Sequence, residues 1–130
     1  NAVNFWNFSN SMGDHNTFGK IGEQKAVDYL KASGYDIVER NYRYLKAEID
    51  IIARQGDILV IIEVKSRTKG FLEDVSHTIT PKKVKLLTMA ANHFVEEMET
   101  DVEVRFDIVT VIKHAVHFDI EHIENAFYHF

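Results

Sequence analysis

The sequence predicts an α/β domain, a central mixed β-sheet flanked by α-helices. Three observations predict it. Between residues 18 and 123 the pattern reads as one helix, three strands, a second helix and two further strands, an order that implies a mixed sheet with helices packed on it. The chain has 130 residues, enough for a single domain with a real core. It is 45% hydrophobic and 27% charged, the balance of a globular protein in water.

The chain opens on "NAVNFWNFSNSMGDHN", rich in Asn and Ser, with Met12 inside it. Residues 1–15 are expected to be a flexible leader or an added extension, residues 1–11 lying upstream of a native start at Met12. The domain is expected over 16–130. From Phe18 to Ser33 the pattern is helical. Asn16 or Thr17 can cap its start, and Gly34 suits the position just past its end. Glu23, Ala26, Val27 and Leu30 fall at i, i+3, i+4 and i+7 and share one face. Glu23 therefore lies in line with the apolar stripe, where Gly19 and Gly22 leave room for close approach.

"YDIVERNYRY" alternates as a strand, and "AEIDIIA" and "DILVIIEVK" form two more around a turn at Gln55-Gly56-Asp57. Residues 67–79, with Gly70 and mixed polar residues, read as a loop. "TPKKVKLLTMAANHFVEEMET" reads as the second helix, with Thr80 as N-cap and Pro81 at its first position. Val84, Leu87, Ala91, Phe94, Val95 and Met98 make its buried stripe. "VEVRFDIVTVI" and "AVHFDIEHI" are the last two strands.

The hairpin carries the functional signal. Side chains alternate faces along a strand, so Glu48, Asp50 and Ile52 share one face, as do Leu59, Ile61, Glu63 and Lys65. A two-residue loop at Gly56-Asp57 pairs Gln55 with Ile58 and sets Asp50 opposite Glu63. Like charges facing each other on an apolar sheet are destabilising. A divalent cation resolves this, since Mg²⁺ or Mn²⁺ takes carboxylate oxygens, water and phosphate as ligands. Lys65, two residues past Glu63, would stabilise developing negative charge or position a water nucleophile. Glu23 would be a further ligand or tune the metal. Together these residues suit metal-assisted phosphodiester hydrolysis. Taken singly, each has a plainer reading: a strand-end Lys, a solvent-facing Asp, a helix-surface Glu.

Asp50, a turn and Glu63-Val64-Lys65 resemble the PD-(D/E)xK nuclease motif, here without its proline. More closely, "GKIGEQKAVDYLKASGYDIVERNYR", "AEIDIIA", "IIEVKSR", "TPKKVKLLTMAA" and "VRFDIVTV" resemble, in order, the YraN family of small bacterial proteins. That family is similar in fold and motif layout to archaeal Holliday-junction resolvases. The resemblance implies a restriction-endonuclease-like fold and a single nuclease-like domain. It implies catalytic positions at Glu23, Asp50, Glu63 and Lys65, but it leaves the substrate open. The reading is a Mg²⁺- or Mn²⁺-dependent deoxyribonuclease, acting on branched or structured DNA. Asp50, Glu63, the backbone carbonyl of Val64 and Glu23 would serve the metal, and Lys65 the water.

Net charge is −5, but residues 40–85 hold ten Lys/Arg against six Asp/Glu, while residues 86–130 hold two against nine. A basic middle permits a face for nucleic acid. Lys82, Lys83 and Lys85 at the second helix N-terminus, and Arg67 after the motif, would contact phosphate; solvated lysines are the plainer alternative. The acidic C-terminal third suits a protein partner, and cleaving two strands would suit a homodimer. Rival readings are a non-catalytic nucleic-acid- or partner-binding module that keeps the fold, and a nuclease directed at RNA. Glu48 would assist the metal or pair with Lys65. Arg105 and Asp107 share a strand face as a structural ion pair. His114 and His117, at i and i+3 of a strand, would point to opposite faces, which argues against a histidine metal site. There is no cysteine, so disulfides and thiolate zinc sites are excluded. No apolar run reaches the roughly 18–20 residues of a membrane span. No signal peptide is evident, so a cytoplasmic location without membrane association is expected.

Overall fold

A computed structural model describes residues 12–69 and 79–127 of the chain. The elements run α1 (Met12–Ala32), β1 (Asp36–Tyr44), β2 (Ala47–Gln55), β3 (Ile58–Thr68), α2 (Pro81–Glu97), β4 (Glu103–Lys113) and β5 (Phe118–Ile123). The five strands form one sheet in the order β1-β2-β3-β4-β5. Neighbours are antiparallel except β3 and β4, which are parallel because α2 carries the chain back across the sheet. This is the expected mixed α/β architecture, and it is consistent with a restriction-endonuclease-like fold.

Period-two alternation sends each strand's apolar residues to two cores. Ile51, Ala53, Val60, Ile62, Val109 and Val111 meet Ala26, Val27 and Leu30 of α1 on one face. Ile49, Ile52, Leu59, Ile61 and Phe106 meet Leu87, Ala90 and Ala91 of α2 on the other. The predicted α1 stripe is buried as read. On α2 the buried centre is Leu87, Ala90 and Ala91, with Leu86 packed beside it. Val84 instead lines a groove with Thr88, Met89, Tyr44 and Phe127.

The ends of the helices follow local chemistry. Thr80 Oγ1 accepts the Lys83 N–H at 3.1 Å, with Pro81 in the first turn, as expected. Tyr35 N–H donates to the Leu30 carbonyl and Gly34 N–H to that of Lys31, closing α1 with Gly34 at φ +90°. The start of α1 differs from the sequence reading. The helix begins at Met12, so Asn16 and Thr17 lie inside it. No proline interrupts 12–17, so nothing there stops the helix growing toward its N-terminus. Residues 1–11 lie outside the described residues, as do residues 70–78 of the expected loop. Arg67 and Thr68 belong to β3, held by pairing with Ile112 and Lys113. The last strand starts at Phe118, later than read, because residues 114–117 form the link from β4.

Candidate active site

The β2–β3 hairpin has the register that its loop length implies. Gln55 pairs with Ile58, and the ladder continues to Ile51↔Ile62. Asp50 and Glu63 are next in that register. There the ladder stops, and Asp50 Oδ2 accepts the Val64 N–H at 2.8 Å. Beyond this fork the β1–β2 end parts from β3, and a cleft of about 780 Å³ opens. Glu23, Asp50, Val64, Lys65 and Arg67 all line it.

Glu63 sits at the head of the fork and is only 4% exposed. The hairpin register sets the Asp50 and Glu63 carboxyls side by side, each acting on the other's proton affinity. Burial, followed by the hydrogen bond and charge of Glu63, pushes the Asp50 carboxyl up to about 8, against the pull of the Val64 N–H and Lys83. Burial alone would push Glu63 up as well. The hydrogen bond with Asp50 and the Lys83 and Lys65 ammoniums outweigh it and hold Glu63 below the usual carboxylate range. The two shifts run in opposite directions, so the pair favours the proton on Asp50 and the charge on Glu63. Oε2 of Glu63 lies 2.6 Å from Lys83 Nζ, yet it is buried without a hydrogen bond of good geometry. Asp50 and Glu63 offer a cation carboxylate oxygens at the edge of the cleft.

Lys65 is half-buried at the cleft. Burial, with Lys83 and Arg67 adding to it, holds its ammonium below the usual lysine value despite Glu63. Glu23 reaches the same cleft from α1, where protein partners already hold it. Its Oε2 accepts Arg40 Nε and Nη2 at 3.0 and 2.7 Å and Asn41 Nδ2 at 3.3 Å. Asn41 lies across from Asp50 in β1 with φ +54°, a left-handed conformation that Asn tolerates better than most residues. Gly22 lets α1 come down on β3, since a Cβ there would lie 1.9 Å from Ser66 Oγ. Gly19 plays no such part, having nothing within 4 Å of its Cβ position, and it lines the cleft instead.

Of the basic residues singled out, Lys83 is turned onto Glu63, whereas Lys82 and Lys85 are exposed. Arg67 lines the cleft and donates Nη1 to the Ser66 carbonyl. Glu48 pairs with Arg43 at 3.5 Å, not with Lys65. Arg105 and Asp107 form the expected ion pair, a two-pronged one at 2.9 and 2.9 Å, extended by His122 and the Asn125 N–H. Sequence reading missed Lys20, Arg40, Asn41 and Arg43. "RNYR" in β1 was a signal, but only the β1–β2 pairing shows that it borders the cleft. Among the described residues, no helix is long and apolar enough to cross a membrane.

Residues 22–111 match the model of the uncharacterised protein family UPF0102. The matched stretch contains Glu23, Asp50, Glu63, Lys65 and Lys83. The chain is 49% identical over 119 residues to a UPF0102 protein of Christiangramia forsetii, covering 92% of this chain and 100% of that one. It is 46% identical to one from Flavobacterium psychrophilum, with the same coverage of both chains. A Bacteroides fragilis relative is 42% identical over 117 residues, covering 90% of this chain and 97% of its own.

Proposed function

We propose that this chain, which belongs to the uncharacterised protein family UPF0102, is a divalent-metal-dependent endonuclease that hydrolyses DNA phosphodiester bonds, with branched or structured DNA as its preferred substrate. The observation that carries the reading is the buried Asp50–Glu63 pair at the mouth of a forked hairpin, with Lys65 beside it in an open cleft. Two buried carboxyls side by side, with only the Lys83 ammonium set against Glu63, fit a hard cation better than they fit each other.

Asp50, Glu63 and the Val64 carbonyl would hold Mg²⁺ or Mn²⁺, with Glu23 assisting from α1. Bound there, the ion would supply Lewis-acid polarisation of a phosphoryl oxygen. Lys65 orients the attacking water and stabilises charge at the phosphate, and its lowered proton affinity eases proton transfer. Arg67 at the cleft and the exposed Lys82 and Lys85 would contact backbone phosphates, contacts that position a nucleic acid without reading its sequence. Lys83, now on Glu63, would be free to join them if a metal took that carboxylate.

A second reading, a nucleic-acid-binding module without catalysis, is favoured by one feature. Glu63 and Glu23 already have protein cations as partners, Lys83 and Arg40. A cleavage screen separates the two. Duplex, single-stranded and four-way DNA, with RNA for comparison, are incubated with Mg²⁺ or Mn²⁺ and with wild-type or Glu63→Gln protein. Metal-dependent cleavage that the variant lacks is expected. DNA binding in Ca²⁺ without cleavage in Mg²⁺ or Mn²⁺ assigns the binding module. Cleavage of RNA alone would move the substrate class, and equal cleavage by the variant would overturn the site.

A further inference from the structure

The link between β4 and β5 brings together three metal-ligating side chains far from the acidic pair in sequence. Lys113 pairs with Phe118 at the base of the link, and the His114 N–H donates to the His117 carbonyl at 2.8 Å. This turn undoes the strand geometry expected for the two histidines. Instead of facing opposite ways, their rings stack with centroids 4.4 Å apart and planes 7° from parallel. Asp119, the second residue of β5, reaches back to both. Its Oδ2 lies 2.7 Å from His114 Nε2 and 3.7 Å from His117 Nε2. One ligand atom from each of the three residues lies within 4.8 Å of the others.

An ordinary histidine–carboxylate pair does not account for this arrangement. One carboxylate serves two imidazoles, and His114 Nε2 is buried without a hydrogen bond of proper geometry despite its short distance to Asp119. The three groups lie close enough for one ion to reach all of them. Donors around a tetrahedral ion with bonds near 2.0–2.1 Å stand roughly 3.4 Å apart, and the two separations to Asp119 bracket that value. The stacked rings must turn for their lone pairs to meet at one ion. His117 and Asp119 are 57% and 58% exposed, so neither is held by packing.

We infer that His114, His117 and Asp119 form a second metal site, taking a borderline-soft divalent ion such as Zn²⁺ rather than Mg²⁺, and that the ion clips the start of β5 to the end of β4. Two imidazoles and one carboxylate suit Zn²⁺, Ni²⁺ or Cu²⁺, whereas a hard ion prefers an all-oxygen set. Three protein ligands leave a position for water. The site stands apart from the acidic pair. Thr110 lies beside Lys65 in the parallel ladder, and His114 is four residues further on, about 13 Å along the strand direction. It also falls beyond the stretch matched by the family model.

The test uses the untagged full chain, stripped of metal and titrated with Co²⁺ in excess Mg²⁺. One equivalent should bind with visible absorption bands of a nitrogen- and oxygen-ligated ion, and Zn²⁺ should displace it. His117→Ala and Asp119→Asn should each weaken that binding by more than about tenfold, while Asp50→Asn should leave it unchanged. Far-UV circular dichroism of each variant without metal confirms that the fold persists, since both substituted side chains are exposed. Zn²⁺ should also raise the melting temperature of wild type and not of His117→Ala. Binding that is undiminished in both variants, that is lost in Asp50→Asn, or that is absent in wild type would overturn the assignment.

Discussion

Nζ of Lys83, in the first turn of α2, lies 2.6 Å from Oε2 of Glu63 in β3. The helix thus places an ammonium on the one carboxylate of the acidic pair that stays charged. Removing it leaves a buried charge without compensation, a change that costs about 3–5 kcal/mol when both partners are dry. Lys83 is 40% exposed, so water screens part of this, and Lys83→Met should cost about 1–3 kcal/mol in urea unfolding without metal. Saturating Mn²⁺ should narrow the gap, because a cation at the pair does the work of the ammonium. Equal stability of the two proteins without metal would show that Glu63 does not depend on Lys83.

The acidic pair also sets a pH dependence. Asp50 is raised from 3.8 to about 8 by burial and then by Glu63, so its contribution to stability is full below about 3.8 and is lost as pH climbs through about 8. Glu63, held low chiefly by Asp50 and Lys83, has the opposite sign, and its contribution is lost only as pH falls below the ordinary carboxylate range. The metal-free protein should therefore melt at progressively lower temperature from about pH 5 to about pH 9. Asp50→Asn should flatten the slope. Comparing the two isolates Asp50 from Lys65, whose lowered ammonium works in the opposite sense. Mn²⁺ binding should release a proton and tighten about tenfold per pH unit up to about pH 8.

Lys65 lines the cleft, and its neighbours there are charged groups more than core. Lys65→Ala should keep the fold and the metal-induced rise in melting temperature while cleavage falls by about 10²-fold or more. Single-turnover rates on the best substrate of the screen measure this. A rate within a factor of about two of wild type would remove Lys65 from the chemistry.

Gly22 and Ser66 fix how closely α1 approaches β3. A Cβ at Gly22 would lie 1.9 Å from Ser66 Oγ and 3.1 Å from its Cβ. Gly22→Ala should cost about 1–3 kcal/mol as an overpacked contact. Ser66→Ala removes the nearer atom, so the double variant should recover part of that loss, and a double-mutant cycle reads the coupling. Strict additivity would mean that the clash is relieved elsewhere.

Asp107 is wholly buried and accepts from Arg105, His122 and the Asn125 N–H. His122 Nδ1 in turn meets Tyr29 of α1 at 2.9 Å, so the cluster ties β4, β5 and α1 together. Burial opposes the Asp107 charge, but His122 and Arg105 outweigh it and hold the carboxyl below 3.8. Its stabilisation is present above that value and lost as pH falls through the lowered one. Asp107→Asn should cost about 3–5 kcal/mol at neutral pH, the scale of breaking a buried ion pair, and should remove part of the acid lability. A loss below about 1 kcal/mol would mean the pair is offset by its own desolvation.

The sequence by itself determined the elements and the hairpin register. Strand alternation, a two-residue loop at Gly56-Asp57, Thr80 with Pro81, and Gly34 all act within a few residues, so their consequences can be read locally. Asp50 and Glu63 meet for that reason, since loop length alone sets the pairing. Tertiary structure decided which distant side chain each charge meets. Glu23 faces Arg40 and Asn41 because β1 folds beside β2. Lys83 reaches Glu63 because α2 packs on the face of the sheet that carries it. His114 and His117 converge because the chain turns where alternation implied a strand. Periodicity gives the direction of a side chain within its own element. Its partner across the fold depends on how whole elements pack, and that follows from burying two apolar faces at once.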